Sequence, residues 1–234
     1  ENEGDTDKAL ENYLKAIELN KHQYATAYFR AGIIYNRKQQ TDKASEMFDE
    51  AERLYNAGSN EEGTIEVRRW RGILLRDEGK FDEAKNQFQQ SYDASRAIGN
   101  EAQQITALID LSYLHSKRGL FAEAENYATQ AVNFAQQKQL ENLAAGGLLE
   151  LGNSFSSRGN DERAEFYFKQ AIQFAKANKG HLRARRVEPA SGELAQPLGQ
   201  QPRPSADAMA QLLAKARLPL VAAAYARGAS TRVL

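Results

Sequence analysis

Ala44, Ala84, Ala124 and Ala164 stand 40 residues apart, and Ala9 stands 35 before the first of them. Small residues recurring at such a period define an array of one repeated unit rather than a single closed core. In an array each unit packs only on its neighbours, so a long open surface remains. That surface, and not a buried catalytic pocket, is where function is expected.

The other positions keep step. Five residues before the alanine come Gly4, Gly79, Gly119 and Gly159, with Gln39 as the exception, and Phe81 and Phe121 follow two after the glycine. Four residues past the alanine sit Tyr13, Phe48, Phe88 and Phe168, with Ala128 as the exception; seven past it sit Ala16, Ala51, Ala131 and Ala171, with Ser91 as the exception. Upstream, Gly32, Gly72 and Gly152 recur, each followed three residues on by Tyr35, Leu75 or Phe155. Intervals of three, four and seven are helical. The segments between turns lack proline and are rich in helix formers. Each unit therefore reads as helix, glycine turn, helix, with Gly119 and Gly159 supplying the left-handed turn conformation. The expected helices are 5–19, 22–38, 41–56, 60–78, 81–97, 100–118, 121–138, 141–158 and 161–178. Asp5, Asp42 and Asp161 are placed to cap or favour helix starts. The alanines and glycines let backbones approach, and the aromatic one turn later fills the gap between units. Gly146-Gly147 inside a helix reads as close packing.

The alanine, glycine and aromatic series Leu151-Gly152, Phe155, Gly159, Ala164, Phe168, Ala171 resembles the tetratricopeptide repeat pattern, as does Tyr28, Ala31-Gly32, Tyr35, Ala44, Phe48, Ala51. The resemblance covers about residues 4–178, with units longer than the usual ~34 residues and without the closing proline. It implies an all-α, right-handed superhelical solenoid of antiparallel helix pairs. Residues 1–181 form the array: a half repeat at 4–20, then repeats at about 22–58, 60–98, 100–138 and 141–179.

In this family the first helices of successive units line the concave face. Carried over by phase, that gives a peptide-binding groove of Phe29, Ile33 and Asn36; Arg69, Ile73 and Arg76; Ile109, Tyr113 and Ser116; Leu149, Asn153 and Ser156. Arg37 and Lys117 lie alongside. The family's carboxylate clamp of Lys, Asn and Arg is not matched, since Phe29, Ile33, Ile109 and Leu149 hold those places. The groove reads as apolar, with Arg69, Arg76 and Asn153 as polar handles, suited to an amphipathic helix or extended segment carrying some acidic residues. Some of these side chains have packing against the next unit as the competing role. Trp70 is read as core packing or a helix edge, or else as a ligand-stacking ring.

Chemistry is hard to find. His22, His115 and His181 are scattered, and none has partners at metal-ligand spacing. His115, which stands where other units carry Tyr35, Leu75 and Phe155, reads as a packing residue with one satisfied nitrogen. No nucleophile elbow or phosphate-cradling loop is present. There is no cysteine, so no disulfide or thiolate site is possible. The expectation is a non-enzymatic protein–protein interaction scaffold without catalytic, cofactor or metal site. The alternative is the repeat arm of a larger bacterial multidomain enzyme, such as a serine/threonine kinase, or of a signalling regulator.

Equal numbers of basic and acidic residues, 31 each, argue against a nucleic-acid partner. No apolar run reaches the ~20 residues of a membrane span. A chain opening at Glu1 without a leader reads as a cytoplasmic fragment. Truncation within a repeat leaves an uncapped edge at helix 5–19, where self-association is possible.

The tail differs. All five prolines fall between Pro189 and Pro219, asparagine stops at Asn178, and residues 182–234 carry eight Lys/Arg against three Asp/Glu. Pro204 occupies the place due for the packing alanine, so 187–205 is not an ordinary repeat. A linker with a terminal helix at 206–217, an engineered segment and a shifted reading frame all remain open. Low order is expected over 187–205, and no functional site in the tail.

Overall fold

The computed structural model describes the backbone of residues 3–185 and the side chains of residues 5–175. The described residues form helices only: α1 (Glu3–Leu19), α2 (Ala25–Arg37), α3 (Thr41–Ala57), α4 (Glu61–Asp77), α5 (Phe81–Ala97), α6 (Glu101–Lys117), α7 (Phe121–Gln137), α8 (Glu141–Ser157) and α9 (Asp161–Arg185). Consecutive helices pack on each other, from α1 on α2 through to α8 on α9. This is the expected all-α repeat solenoid.

The finer rule is a period of 20. Gln39, Ser59, Gly79, Gly99, Gly119, Gln139 and Gly159 all have positive φ, between 53° and 78°. Each ends a helix in the same way. In the turn after α4, the amide of Gly79 donates to the Arg76 carbonyl at 3.0 Å and that of Lys80 to the Leu75 carbonyl at 2.9 Å. The second bond spans six residues and occupies a carbonyl that the helix leaves unpaired. The same bond recurs at Leu120 to His115, at 2.9 Å, and Asn160 to Phe155, at 3.0 Å.

Two boundaries differ from expectation. Helix α2 begins at Ala25, not 22, because Asn20 folds the preceding segment into a turn: its side chain accepts from the His22 amide at 3.1 Å and donates to Gln23 at 2.7 Å. Helix α9 continues to Arg185, so the array's last helix runs past 181. The expected helix 206–217 and the rest of the tail lie outside the described residues. Capping differs too. Asp42 and Asp161 sit within the first turn, where they favour the helix dipole. The side-chain caps among the described helices are three asparagines: Asn60 accepts from the Gly63 amide at 2.8 Å, Asn100 from Gln103 at 3.1 Å and Asn160 from Arg163 at 3.2 Å.

The repeated small and aromatic residues interlock. Ala44, Ala84, Ala124 and Ala164 are fully buried. A methyl group built on Gly32, Gly72 or Gly152 would lie 2.7, 2.6 or 2.5 Å from the ring of Phe48, Phe88 or Phe168. Glycine is thus required in the first helix of these three units because phenylalanine fills the space from the second. The third unit inverts the arrangement. Ala128 replaces the ring, and Ser112 replaces the glycine, donating its hydroxyl proton to the Ala124 carbonyl at 2.8 Å. Gly147 packs against Val132 and Ala128, as the glycine pair suggests. His115 is buried, its Nδ1–H donating to the Leu111 carbonyl at 2.8 Å with Tyr127 beside the ring.

Candidate functional site

The two helices of each unit play different parts. Helix α2 touches α4, α4 touches α6 and α6 touches α8, whereas α3, α5, α7 and α9 make no comparable contact with one another. The first helices therefore form the inner row of a curved stack, and the second helices the outer row.

Across the inner row opens a cavity of about 810 Å³, lined by Asn36, Arg37, Gln39 and Thr41, by Arg69, Trp70, Ile73, Arg76 and Asp77 of α4 with Glu78 just past it, by Ile109, Asp110 and Tyr113 of α6, and by Glu150 of α8. Six of the twelve expected groove residues meet here: Asn36, Arg69, Ile73, Arg76, Ile109 and Tyr113. Phe29 and Ile33 do not; only 7% and 6% exposed, they are core residues, with Phe29 against the rings of Phe48 and Tyr55. Ser116, Leu149, Asn153 and Ser156 stay on the inner row, partly exposed, outside the cavity lining.

Arg69 is not a free polar handle. Its guanidinium is buried and paired with Asp110 of the next inner helix, through Nε to Oδ2 and Nη2 to Oδ1 at 3.4 Å, with Glu66 at 3.7 Å. Burial works against the charge, yet Asp110 and Glu66 outweigh it and hold the pKa raised. Arg76 lies over the Tyr113 ring at 4.7 Å and donates to Asp77 at 2.7 and 2.9 Å. Trp70 is partly buried between two core clusters and also faces the cavity.

Phase carried over from the family missed the acids. Asp110 and Glu150 stand 40 apart, in the positions held by Arg30 and Trp70 in earlier units. That spacing was the available signal, one residue beyond the series Phe29, Arg69, Ile109, Leu149. The groove is consequently not mainly apolar but mixed in charge. Glu150 is the singular member. Its Oε2 is buried without a hydrogen-bond partner, and its Oε1 has only Asn153 Nδ2 at 3.5 Å. Burial pushes its pKa up from 4.5 to about 7, the Asn153 bond lowering it and nearby Asp110 raising it further.

Among the described residues, no group of three or more His, Asp or Glu could hold a metal ion, and no helix is long and apolar enough to cross a membrane.

No curated protein matches the sequence. Among solved structures the chain is similar to the Rap conjugation gene regulator of plasmid pLS20 in complex with the Phr* peptide, with 18% identity and a TM-score of 0.65, covering 92% of this chain and 60% of that one. It is similar to BtubC from P. vanneervenii, with 18% identity and a TM-score of 0.61 over 86% of this chain and 82% of that one. It is also similar to apo RapI, with 14% identity and a TM-score of 0.62 over 77% of this chain and 68% of that one. At such identities these likenesses concern the fold. Models of the tetratricopeptide repeat match residues 63–137 and residues 1–23, 25–57 and 145–178. Matched over most of its length and built of the same stacked helix pairs, the chain belongs to the tetratricopeptide repeat family.

Proposed function

We propose that this chain holds a peptide segment of a partner protein in the trough between α2 and α8. The family's arrays are interaction scaffolds. The observation that carries the reading is the open cavity of about 810 Å³, which spans several units of the inner row and sets Ile73, Ile109 and Tyr113 beside charged groups. Its size lies within the ~300–1,000 Å³ range of ligand sites, and a few polar groups among apolar ones fix a ligand's orientation. The pLS20 Rap regulator, of similar fold, is itself a complex with a peptide.

The test begins with selecting random displayed peptides on the immobilised protein. The variant for comparison is Arg76→Ala with Tyr113→Ala, both partly exposed on the trough wall. Arg69 is left alone, because its removal would strand a buried Asp110. The double variant is expected to weaken the selected peptides at least about tenfold, the equivalent of ~1.4 kcal/mol, with an unchanged melting curve. Peptides that bind both proteins equally would place the interaction elsewhere.

A further inference from the structure

Among the described residues that line the trough, Glu150 is the one with a buried polar side-chain atom that has no hydrogen-bond partner. Arg69 occupies both oxygens of Asp110, and Asp77 receives two bonds from Arg76. Glu150 Oε2, by contrast, has no donor although it is buried. A buried acceptor without a partner costs more than a typical hydrogen bond returns, so such a group favours any ligand that supplies a proton donor. Its last torsion is broad and roughly two-fold, so the carboxylate reorients easily beside the cavity that Glu150 lines.

We propose that the trough is a lysine-reading subsite, in which Glu150 receives the ammonium group of a lysine side chain of the bound peptide. This rests on the peptide-groove reading and gives it a chemistry. A single free oxygen suits a compact ammonium; a guanidinium, with its planar fork, matches two acceptors at once. Ile73, Ile109 and Trp70, on the same cavity wall, cover the four-carbon stem. The expectation from phase, that the groove favours acidic partners, is thereby reversed at this position, because the arginine meant to attract them is already paired.

Binding is coupled to proton release. The charged groups acting on Glu150 are Asp110 and Lys117 from α6 and Arg76 from α4, with Asn153 bonded to it from α8 itself. Helices α7 and α9 meet α8 through apolar residues, among them Val132, Leu148, Leu151 and Ala171. With its pKa near 7, the carboxyl is mostly neutral at pH 5.5 and mostly ionised at pH 8. A ligand that needs the ionised form binds about thirtyfold more weakly at the lower pH.

The probe is N-acetyl-lysine methylamide, titrated into the full chain with ¹³C-labelled glutamate and followed by NMR, against N-acetyl-norleucine methylamide and N-acetyl-arginine methylamide. The expected result is saturable movement of the Glu150 carboxyl signal by the lysine probe. That signal's pKa should fall on binding, affinity should drop about thirtyfold from pH 8 to pH 5.5, and Glu150→Gln should abolish binding of the lysine probe as measured by calorimetry. Norleucine binding as well as lysine, arginine binding better than lysine, or lysine binding that survives by calorimetry in Glu150→Gln overturns the proposal. Peptides selected on the wild-type protein form a separate arm. If they bind the trough but carry no fixed lysine, the subsite fails and the groove stands. If the lysine probe binds Glu150 while the Arg76/Tyr113 variant keeps its peptides, the subsite stands and the groove reading fails.

Discussion

Glu150 shows how a residue's surroundings decide what it can do. In the unfolded chain its carboxyl titrates near 4.5, and in the fold near 7. Between those values the folded state binds the extra proton, so stability falls as pH rises through that window. The contribution is fully present below pH 4.5 and lost above pH 7. The full shift corresponds to at most on the order of 3 kcal/mol, less where the partly exposed side chain reaches water. Glu150→Gln, which stays neutral, should therefore melt higher than wild type at pH 8 and alongside it at pH 5. Equal melting at both pH values would show that the carboxyl is not desolvated. The repeated glycines, alanines and phenylalanines were legible in the sequence because each fills one place in a recurring contact. Glu150 and Asp110 were not. A carboxylate in a helix ordinarily faces solvent, and only the fold shows that these two face a trough.

At the scale of the element, helix pairs were readable but the turns between units were half hidden. Gly79, Gly119 and Gly159 announce the turns inside units. Gln39, Ser59 and Gln139 do the same job with side chains attached, at φ of 59°, 53° and 55°. A side chain in the left-handed region costs ~1–2 kcal/mol, part of which glycine gives back through the freedom it adds to the unfolded chain. Ser59→Gly should thus stabilise by about 0.5–1 kcal/mol, and Gly119→Ala should destabilise by about 1 kcal/mol. A methyl group on Gly119 would meet nothing, so that cost is conformational alone. Urea midpoints measure both, and a neutral Gly119→Ala would contradict the turn geometry. The late start of α2 and the long α9 escaped the periodic reading for a plain reason. Local bonds at Asn20 and sequence past the last full unit do not obey the repeat.

For the whole molecule, the 40-residue register gave the stacking order, whereas links between inner helices needed coordinates. Arg69 and Asp110 join the second unit to the third across 41 residues, both almost out of water. Removing one partner leaves the other charged and buried, at a cost of about 3–5 kcal/mol, whereas replacing both with apolar residues can be nearly neutral. Arg69→Ala should therefore unfold at much lower urea, and Arg69→Met with Asp110→Leu should recover most of the loss. A mild effect of the single change would mean that the pair is more hydrated than its burial implies.

Among the described helices, the inner ones of adjacent units touch directly while the outer ones make no comparable contact, and this shapes how the stack responds to load. Drawing its two ends apart strains that file of contacts together with the packing of each outer helix on the inner helix that follows it. Part of the arc's cohesion resides in side chains that line its hollow, Arg69 and Asp110 among them. On the peptide-groove reading proposed above, a guest braced between α4 and α8 would act as a strut, and the protein's compliance would record whether it is occupied.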